Sequence, residues 1–336
     1  MKPSTTFIPR SIFPDYNVVL ANFLGHHRSA LNKMAGIASQ VDMVLELRDS
    51  RVPLSSINGL FDRFLLTKQK LVLYSKNDLS NIDSKLLEKW HSFDNSQYMQ
   101  IDCRSKRDAS RVLDLVKAFH KEVFPPPPLG MRLLITGMPN AGKSTFLNTI
   151  RSVGMQENHK VARTGGEPGI TRSVSNIICI CRDPDIFIYD SPGVFVPRTK
   201  DTETMLKMSI VGAVNKARVD PIIQADYLLF HLNKTNPDGR DYKKYLERPT
   251  NQIYRLLKGI AAQRGVLKKN GTFDEKGMAL FWLENWKKGY ESALMLDETT
   301  EDAYLDVLRE QRNMYQDFDI DISRQVRYNK RKMLRM

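Results

Sequence analysis

Long apolar runs are missing from this sequence. No stretch approaches the roughly 20 consecutive apolar residues of a membrane-spanning helix, although 41% of the 336 residues are hydrophobic. Cysteine is scarce too, because Cys103, Cys179 and Cys181 are the only three, and they are too few and too irregularly spaced for a disulfide framework or a zinc site. The sequence therefore predicts a chain with a sizeable core, in a reducing compartment, without a membrane span.

Acidic residues are outnumbered by basic ones. The 51 Lys and Arg residues against 38 Asp and Glu give a formal net charge of +13. A basic surface gains free energy on a polyanion by releasing counterions, which favours a nucleic-acid partner, although organellar proteins are often basic in general. The basic tail, residues 321–336, carries six Lys and Arg and no acid after Asp321. It predicts either a contact with RNA phosphates or a solvated, disordered end.

The beginning of the chain is also poor in acid, with none before Asp15. Residues 1–20 combine Lys2 and Arg10 with several hydroxyl side chains, a composition typical of a mitochondrial presequence. Three prolines among the first fourteen residues disfavour the amphipathic helix of such a leader. An ordinary frayed N-terminus is therefore the alternative.

The strongest motif is a phosphate-binding loop. The mostly apolar run Leu-Leu-Ile-Thr at 133–136 leads into Gly-Met-Pro-Asn-Ala-Gly-Lys-Ser at 137–144, which fits G-x-x-x-x-G-K-[ST] between a predicted strand and a predicted helix. Backbone N–H groups of such a loop cradle phosphates, Lys143 reaches the terminal phosphates, and the Ser144 hydroxyl holds Mg²⁺. The expected nucleotide-binding residues here are Asn140, Ala141, Gly142, Lys143, Ser144 and Thr145.

A second motif, far upstream, indicates which base is bound. The predicted strand at 70–74 is followed by Ser75, Lys76, Asn77 and Asp78. A carboxylate at Asp78 can accept hydrogen bonds from guanine N1–H and its exocyclic amine, while the stem of Lys76 lies against the base. Adenine lacks that pair of donors, so the carboxylate discriminates between the two bases. Ligands of α/β domains bind at strand ends, which supports this assignment over a solvated Lys-x-Asp.

A third motif follows the phosphate loop. A predicted strand at 185–190 ends in Asp190-Ser191-Pro192-Gly193. An aspartate at this strand end can hold Mg²⁺ through water, and the backbone N–H of Gly193 can reach a γ-phosphate. Asp-x-x-Gly is also a frequent turn, but its position after the phosphate loop and after the glycine-rich stretch 164–172 favours the functional interpretation.

Together these motifs resemble the GTPases in permuted order, since the guanine motif precedes the phosphate loop. The sequence is similar to the ribosome-biogenesis branch of the circularly permuted GTPases, which has mitochondrial and bacterial members. The stretches that carry the resemblance are Phe-Leu-Gly-His at 23–26, Glu-Leu-Arg-Asp-Ser-Arg-Val-Pro-Leu-Ser at 46–55, the phosphate loop, Pro-Gly-Ile-Thr-Arg at 168–172, Asp-Ser-Pro-Gly-Val at 190–194 and, more weakly, Trp-Lys-Lys-Gly at 286–289.

The resemblance implies an α/β fold: a doubly wound, mostly parallel P-loop domain at 21–205, with a proline linker at 125–130, then a smaller α-helical domain at 206–320. It implies GTP as substrate and Mg²⁺ held by Ser144, Thr171 and Asp190, with Thr171 and Lys143 assisting catalysis. Asn140 matches the asparagine of potassium-stimulated GTPases, which adds K⁺ to the expected cofactors. The alternative is a turn residue.

The expected partner is the large ribosomal subunit with its rRNA. The resemblance implies late ribosome assembly by a monomer in the mitochondrial matrix, peripheral to the inner membrane. Val194 stands where Ras-like enzymes carry the glutamine that orients the attacking water. Unaided hydrolysis should therefore be slow, and we expect His26 to orient the water once the ribosome orders its segment.

Two departures from the family pattern matter. Ser75 replaces the usual asparagine of the guanine motif, and Leu24 replaces a proline before His26. With Val194, Ser75 leaves open a GTP-occupied RNA-binding scaffold with negligible hydrolysis. An ATPase or kinase is disfavoured by Lys76 and Asp78. Two local expectations follow from pattern alone: Gly25-His26-His27 forms a surface loop, and Phe281, Trp282 and Trp286 belong to the core.

Overall fold

The computed structural model describes residues 7–21, 25–94, 96–156, 177–196, 198–300 and 302–314 of the 336-residue chain. The glycine-rich stretch 164–172, with Thr171, and the basic tail 321–336 lie outside these residues. The predicted strands and helices nearly all occur, with ends shifted by a few residues.

One six-stranded sheet organises the fold, in the order β3-β2-β1-β4-β6-β5. Its strands are β1 Met43–Asp49, β2 Gln69–Ser75, β3 Gln97–Gln100, β4 Met131–Gly137, β5 Ile177–Arg182 and β6 Asp185–Asp190. All neighbours pair in parallel except β5 with β6. The strands that come first in the chain occupy one side of β4, and those that come last occupy the other. The predicted α/β class is confirmed.

Ten α-helices surround the sheet in the described residues. They are α1 Gly25–Ile37, α2 Asp62–Leu65, α3 Ser84–Asp94, α4 Lys106–Glu122, α5 Lys143–Gly154, α6 Thr202–Ile210, α7 Pro221–Thr235, α8 Ile253–Gln263, α9 Glu275–Lys287 and α10 Ala303–Met314. The four prolines at 125–128 lie in the connection between α4 and β4, where the linker is predicted.

The two faces of the sheet carry different layers. Leu45 and Leu47 of β1 belong to a core with α4 and α5, whereas Val44 belongs to a core with α1 and α6 to α9. This division follows from the alternation of side chains along a strand. The helical C-terminal part thus shares a core with the sheet and does not build a separate one. Trp282 and Trp286 are buried there and Phe281 packs against it, which confirms their assignment to the core.

The last described helix, α10, returns to the first half of the chain. Tyr304 of α10 stacks on Trp90 of α3, with ring centroids 5.7 Å apart and planes at 12°, and the Arg48 guanidinium lies 5.5 Å from the Tyr304 ring centroid. Arg48 is buried and paired with Glu46 at 2.7 Å. The predicted domain limits at 205 and 320 stay predictions, but α10 packs on α3 and β1, beside the guanine motif.

The N-terminal segment packs on the helical part. Arg10 forms a bidentate ion pair with Asp226 of α7, at 2.9 and 2.7 Å, and also donates to the Asp226 carbonyl. Phe13 is buried edge-on against Tyr227, with centroids 4.8 Å apart. Farther along, the Leu20 carbonyl accepts a hydrogen bond from Thr199 N at 3.0 Å. Residues 8–20 therefore lie against the folded body.

The adjacent histidines differ from the surface-loop expectation. Both lie in the first turn of α1, and His27 is only 4% exposed. The expectation of a loop was wrong because α1 begins at Gly25, so that His27 faces the core. The side chain of His26 lies outside the described part of the structure.

Replacement of Arg10 tests the N-terminal packing. Arg10→Ala leaves the largely buried Asp226 carboxylate without its cation, so we expect the free energy of unfolding to fall by about 2 kcal/mol. Urea denaturation measures this loss. Asp226→Asn in the Arg10→Ala background should recover part of it, because the unpaired charge is gone. An unchanged midpoint for Arg10→Ala would contradict the packing of this segment.

Candidate nucleotide site

The carboxyl ends of three parallel strands bring the predicted motifs to one edge of the sheet. β4 leads into the phosphate loop, β2 ends at Ser75 directly before Lys76, and β6 ends at Asp190. β1 lies between β2 and β4, and β6 pairs with β4 on its other side. Motifs from distant parts of the sequence thus converge where α/β proteins bind ligands.

Two glycines of the phosphate loop are required by geometry. Gly137 has φ +137°, and a Cβ there would collide with the Leu47 carbonyl of β1. Gly142 has φ +99°, and its Cβ would lie 2.8 Å from Cys103 Sγ. L-residues rarely adopt these conformations. The loop can therefore turn tightly against Leu47 of β1 and against Cys103, which follows β3.

Lys143 lies beneath this loop. Its Nζ donates to the carbonyls of Gly137 and Met138, at 3.1 and 2.6 Å, and the side chain is buried. Burial lowers the pKa of Lys143 to about 8, although Asp190 acts to raise it. Gly193 packs closely here, since a Cβ on it would lie 2.5 Å from Pro139 Cα and 3.1 Å from Lys143 Nζ. Lys143 and Gly193 thus meet, as a γ-phosphate site requires.

Asp190 has an unsatisfied oxygen. It is 3% exposed, and among the described residues its Oδ1 has no hydrogen-bond partner. Burial raises the pKa of Asp190 to about 6, although Lys143 acts to lower it. Hydroxyl and carboxylate oxygens are ligands that Mg²⁺ prefers. The unpartnered buried carboxylate oxygen of Asp190 and the hydroxyl of Ser144, which follows Lys143 in the chain, therefore fit the chemistry of the predicted magnesium site.

A cavity of about 350 Å³ lies beside the loop. It is lined by Lys76, Asp78, Leu79, Asp102, Cys103, Arg104, Gly142, Thr145, Lys287, Lys288 and Tyr290. Lys76, Asp78, Gly142 and Thr145 were all predicted to bind nucleotide, and the structure places them around one space. Lys76 Nζ is held by Asp49 Oδ2 at 2.7 Å, and Asp78 Oδ2 accepts from Arg104 at 2.7 Å.

Other predicted residues have partners within the protein. Ser75 is fully buried and its hydroxyl donates to the Arg48 carbonyl at 3.1 Å, while Asn77 Oδ1 accepts from Gln100 at 3.0 Å. Neither lines the cavity. Asn140 has φ +59° and its Nδ2 donates to the Gly212 carbonyl at 2.6 Å, which joins the phosphate loop to the region after α6. Ala141 is buried beside them.

Val194 is turned away from the site. Its side chain is fully buried in the core, and its carbonyl accepts from Asn58 Nδ2 at 2.9 Å. Position 194 therefore supplies no polar side chain that could hold an attacking water. The predicted roles of Thr171 and of the His26 side chain concern groups outside the described part of the structure.

Several cavity residues were not predicted from the sequence. Cys103 and Arg104 follow the end of β3, so the same strand-end argument that was applied to Asp78 could have found them. Burial raises the pKa of the Cys103 thiol to about 12, which makes it a packing residue and not a nucleophile. Lys287, Lys288 and Tyr290 come from the end of α9 and the residues after it. The Trp-Lys-Lys-Gly stretch at 286–289 was part of the weaker family resemblance, but that resemblance did not place it at the nucleotide site.

This combination of a phosphate loop on β4, an Asp-x-x-Gly turn on β6 and a guanine motif on the earlier strand β2 defines a circularly permuted GTPase. Residues 132–259 match the family model described as "50S ribosome-binding GTPase". The chain is 36% identical over 307 residues to mitochondrial GTPase 1 of Saccharomyces cerevisiae, covering 84% of this chain and 82% of that protein. The chain belongs to the mitochondrial GTPase 1 family.

Further relatives and solved structures agree with this assignment. Mitochondrial ribosome-associated GTPase 1 of Mus musculus is 33% identical over 248 residues, covering 71% of this chain and 74% of that protein. GDP-bound and GNP-bound YlqF from Thermotoga maritima are similar in structure, with TM-scores of 0.53 and 0.52 and 18% identity, covering 80% and 81% of this chain and all of theirs. The structural similarity confirms the permuted fold.

The raised pKa of Asp190 predicts opposite effects on stability and binding. Without nucleotide, the neutral carboxyl stabilises the fold at acidic pH, and this contribution is lost as pH rises through about 6. At pH 7.5 Asp190→Asn should therefore raise the free energy of unfolding of the nucleotide-free protein by about 2 kcal/mol.

The same variant should lose most of the gain in GTP affinity that Mg²⁺ gives, measured by titration with and without EDTA. Asp185→Asn is the control, because it makes the same chemical change at an exposed position at the start of the same strand. If Asp190→Asn is destabilised at pH 7.5, or if Mg²⁺ still tightens its GTP binding as in wild type, the assignment fails.

Proposed function

We propose that this GTPase binds the large ribosomal subunit in mitochondria and drives its late assembly, with hydrolysis stimulated by the ribosome. The names of its relatives, "mitochondrial GTPase 1" and "mitochondrial ribosome-associated GTPase 1", support the organelle and the ribosome link. The family description "50S ribosome-binding GTPase" supports the large subunit.

One observation carries the proposal: the site combines phosphate-side groups with a buried Val194. Lys143 and Gly193 are positioned for a γ-phosphate, whereas position 194 holds no water-orienting group. An activating group supplied from outside the catalytic loop can raise GTPase rates by about 10³ to 10⁵. This arrangement fits a GTPase that hydrolyses GTP slowly until the ribosome supplies or orders the missing group.

Each residue has a proposed role in hydrolysis. The backbone of residues 140–145 cradles the phosphates, Lys143 leaves its two carbonyl partners to contact the terminal phosphates, and Gly193 N–H donates to the γ-phosphate. Ser144, Thr171 and Asp190 would hold Mg²⁺, which neutralises charge that develops on the phosphate oxygens. Asp78 accepts hydrogen bonds from guanine once the base has replaced Arg104 as its partner.

His26 and a potassium ion are proposed to complete the site. His26 belongs to the first turn of α1, and the segment before it is tied to Thr199, a few residues after the Asp-x-x-Gly turn. The backbone shortly before His26 is thus bonded to the backbone shortly after the Asp-x-x-Gly turn, which supports a role for His26 in orienting water. Asn140 is the proposed K⁺ ligand through its amide oxygen; equal rates in K⁺ and Na⁺ would argue against the ion.

A basic stretch at 240–269 supports an rRNA contact. It holds nine Lys and Arg residues and two acidic residues, and all nine basic side chains are exposed: Arg240, Lys243, Lys244, Arg248, Arg255, Lys258, Arg264, Lys268 and Lys269. Tyr254 of α8 is 53% exposed beside them. Phosphate contacts by such side chains supply affinity that is not sequence-specific. The basic tail at 321–336 would add to this surface.

The proposed location is the mitochondrial matrix, peripheral to the inner membrane, with the protein as a monomer. No helix in the described residues is long and apolar enough to cross a membrane. The N-terminal leader stays a proposal. The packing of Arg10 and Phe13 favours a cleavage point before Ile8 over one at residue 20, because a later cut would remove buried groups.

The alternative is an RNA-binding scaffold in which GTP is a signal of occupancy and hydrolysis is negligible. The buried Val194 and the replacement of the guanine-motif asparagine by Ser75 favour it. One measurement, the turnover of GTP on ribosomal subunits, distinguishes the scaffold from the ribosome-activated GTPase.

Single-turnover hydrolysis of GTP and ATP, with and without large mitochondrial subunits, tests the proposal. We expect slow hydrolysis of GTP alone, a large increase with subunits, and none with ATP. His26→Ala should reduce the stimulated rate by about 10²-fold and leave GTP affinity unchanged.

His27→Ala is not a suitable control, because His27 is buried. Arg28→Ala keeps both histidines and serves instead, since Arg28 is exposed in the same helix. Equal stimulated rates for His26→Ala and wild type would remove His26 from the mechanism. No stimulation of wild type would favour the scaffold.

The basic stretch gives a separate prediction. Arg255→Glu with Lys258→Glu, on the exposed side of α8, should weaken subunit binding and reduce the slope of log affinity against log salt by about 1 to 2. Arg107→Glu with Lys121→Glu on α4 makes the same change in net charge and should have little effect. Equal slopes for the two pairs would contradict a contact at α8.

A further inference from the structure

The helical C-terminal part contributes one wall of the nucleotide cavity. Lys287, Lys288 and Tyr290 line it opposite Gly142 and Thr145 of the phosphate loop. The sequence motifs for phosphate and base lie before residue 194, whereas this wall contains two residues of the Trp-Lys-Lys-Gly stretch at 286–289, to which the sequence assigned no role. A positive side chain at this position faces the space where a nucleotide binds.

The end of α9 is fixed to the base-binding residues. Trp286 lies under the Arg51 guanidinium, 4.9 Å from the ring centroid, and Arg51 pairs with Asp49 at 2.8 Å. Asp49 also holds Lys76 of the guanine motif. Gly289, with φ +81°, packs so closely on Leu79 that a Cβ would lie 2.5 Å from Leu79 Cδ2. Residues 287–290 are therefore held against the cavity.

Lys287 lies beside the phosphate loop. A Cβ built on Gly212 would be 3.4 Å from Asn140 Nδ2 and 3.9 Å from Lys287 Nζ, so both nitrogens border Gly212. The Lys287 side chain is 16% exposed, and it pairs with Glu284 at 3.2 Å within the same helix. The Glu284 side chain is more exposed, at 35%. A phosphate could therefore replace Glu284 as the partner of Lys287, and the Glu284 carboxylate would stay in contact with solvent.

Two other cations of the cavity are already paired with carboxylates, and Lys288 lines the cavity beside Lys287. Lys76 is bound to Asp49, and Arg104 to Asp78 and Asp102. Lys143 lies under the loop and serves the terminal phosphates. A bound nucleotide brings several negative charges, which favour a further ammonium group at the side of Gly142 and Thr145.

We propose that Lys287 is a nucleotide-binding residue whose ammonium group contacts the phosphates that GTP and GDP share. This inference rests on the proposed GTP binding and adds a contact from the C-terminal helices. Through Lys287 and Trp286, α9 is in contact with both the phosphate and the base side of the site, so occupancy by nucleotide is transmitted directly to the helical part.

Nucleotide affinities of Lys287 variants test this. Lys287→Met should weaken binding of fluorescent GDP and GTP analogues by about tenfold each, as expected for loss of one charge-assisted hydrogen bond. Lys287→Arg should restore most of the affinity. Lys276→Met is the matched control, because Lys276 lies in the first turn of the same helix, exposed and paired with Asp220 at 3.0 Å.

Thermal unfolding of the nucleotide-free proteins separates a binding role from a structural one. An unchanged midpoint for Lys287→Met, with a smaller upward shift on adding GDP, supports the contact. Three results would overturn the proposed contact. The first is wild-type affinity in Lys287→Met, and the second is an equal loss of affinity in Lys276→Met. The third is a loss of affinity in Lys287→Met that accompanies a lowered unfolding midpoint and is not restored in Lys287→Arg. If the wild-type protein binds no guanine nucleotide, the proposed function fails together with the Lys287 contact. If the wild-type protein binds GDP and GTP and Lys287→Met binds them equally well, only the Lys287 contact fails.

Discussion

The buried carboxylate of Asp49 connects the guanine motif to the C-terminal helices through its two cationic partners, Lys76 and Arg51. It ends β1, accepts from Arg51 at 2.9 and 2.8 Å, and pairs with Lys76 at 2.7 Å. Burial alone would raise the pKa of Asp49, but the Arg51 guanidinium and the Lys76 ammonium outweigh it and hold the pKa well below its usual range. A buried charge is tolerated only when it is paired in this way. Without Asp49, Lys76 would lose its carboxylate partner beside the cavity, and Arg51 would lose the ion pair that holds it over Trp286.

Sequence reasoning located the parts of the site that depend on local backbone chemistry. The phosphate loop is recognisable because its glycines must adopt positive φ between a strand and a helix. Asp78 is recognisable because it comes shortly after a strand, and Asp190 because it ends one. The contribution of α9 could not be predicted in this way. Lys287 lies at the cavity next to Trp286, which packs under Arg51. Both segments were part of the family resemblance, but a contact between residues so distant in the sequence cannot be predicted from either segment alone.

The difference between local backbone chemistry and tertiary packing also explains which predictions of the fold were right and which were wrong. The α/β class followed from alternating strands and helices, which are properties of single segments. The start of α1 at Gly25, which buries His27, and the return of α10 to Trp90 depend on tertiary packing. Ser75 is an example of both cases. Its place at the end of a strand was predictable, but the hydrogen bond from its hydroxyl to the Arg48 carbonyl depends on the pairing of β1 with β2.

The central position of β4 has a consequence for the order in which the chain can fold. As the polypeptide leaves the ribosome or an import channel, β1, β2 and β3 emerge first. All seven residues of β1 are buried in the finished sheet, and its free edge has no partner until β4 has been made. An open apolar edge invites pairing with other chains. We therefore expect the newly emerged first half to depend on protection by a chaperone until the phosphate-loop strand closes the sheet.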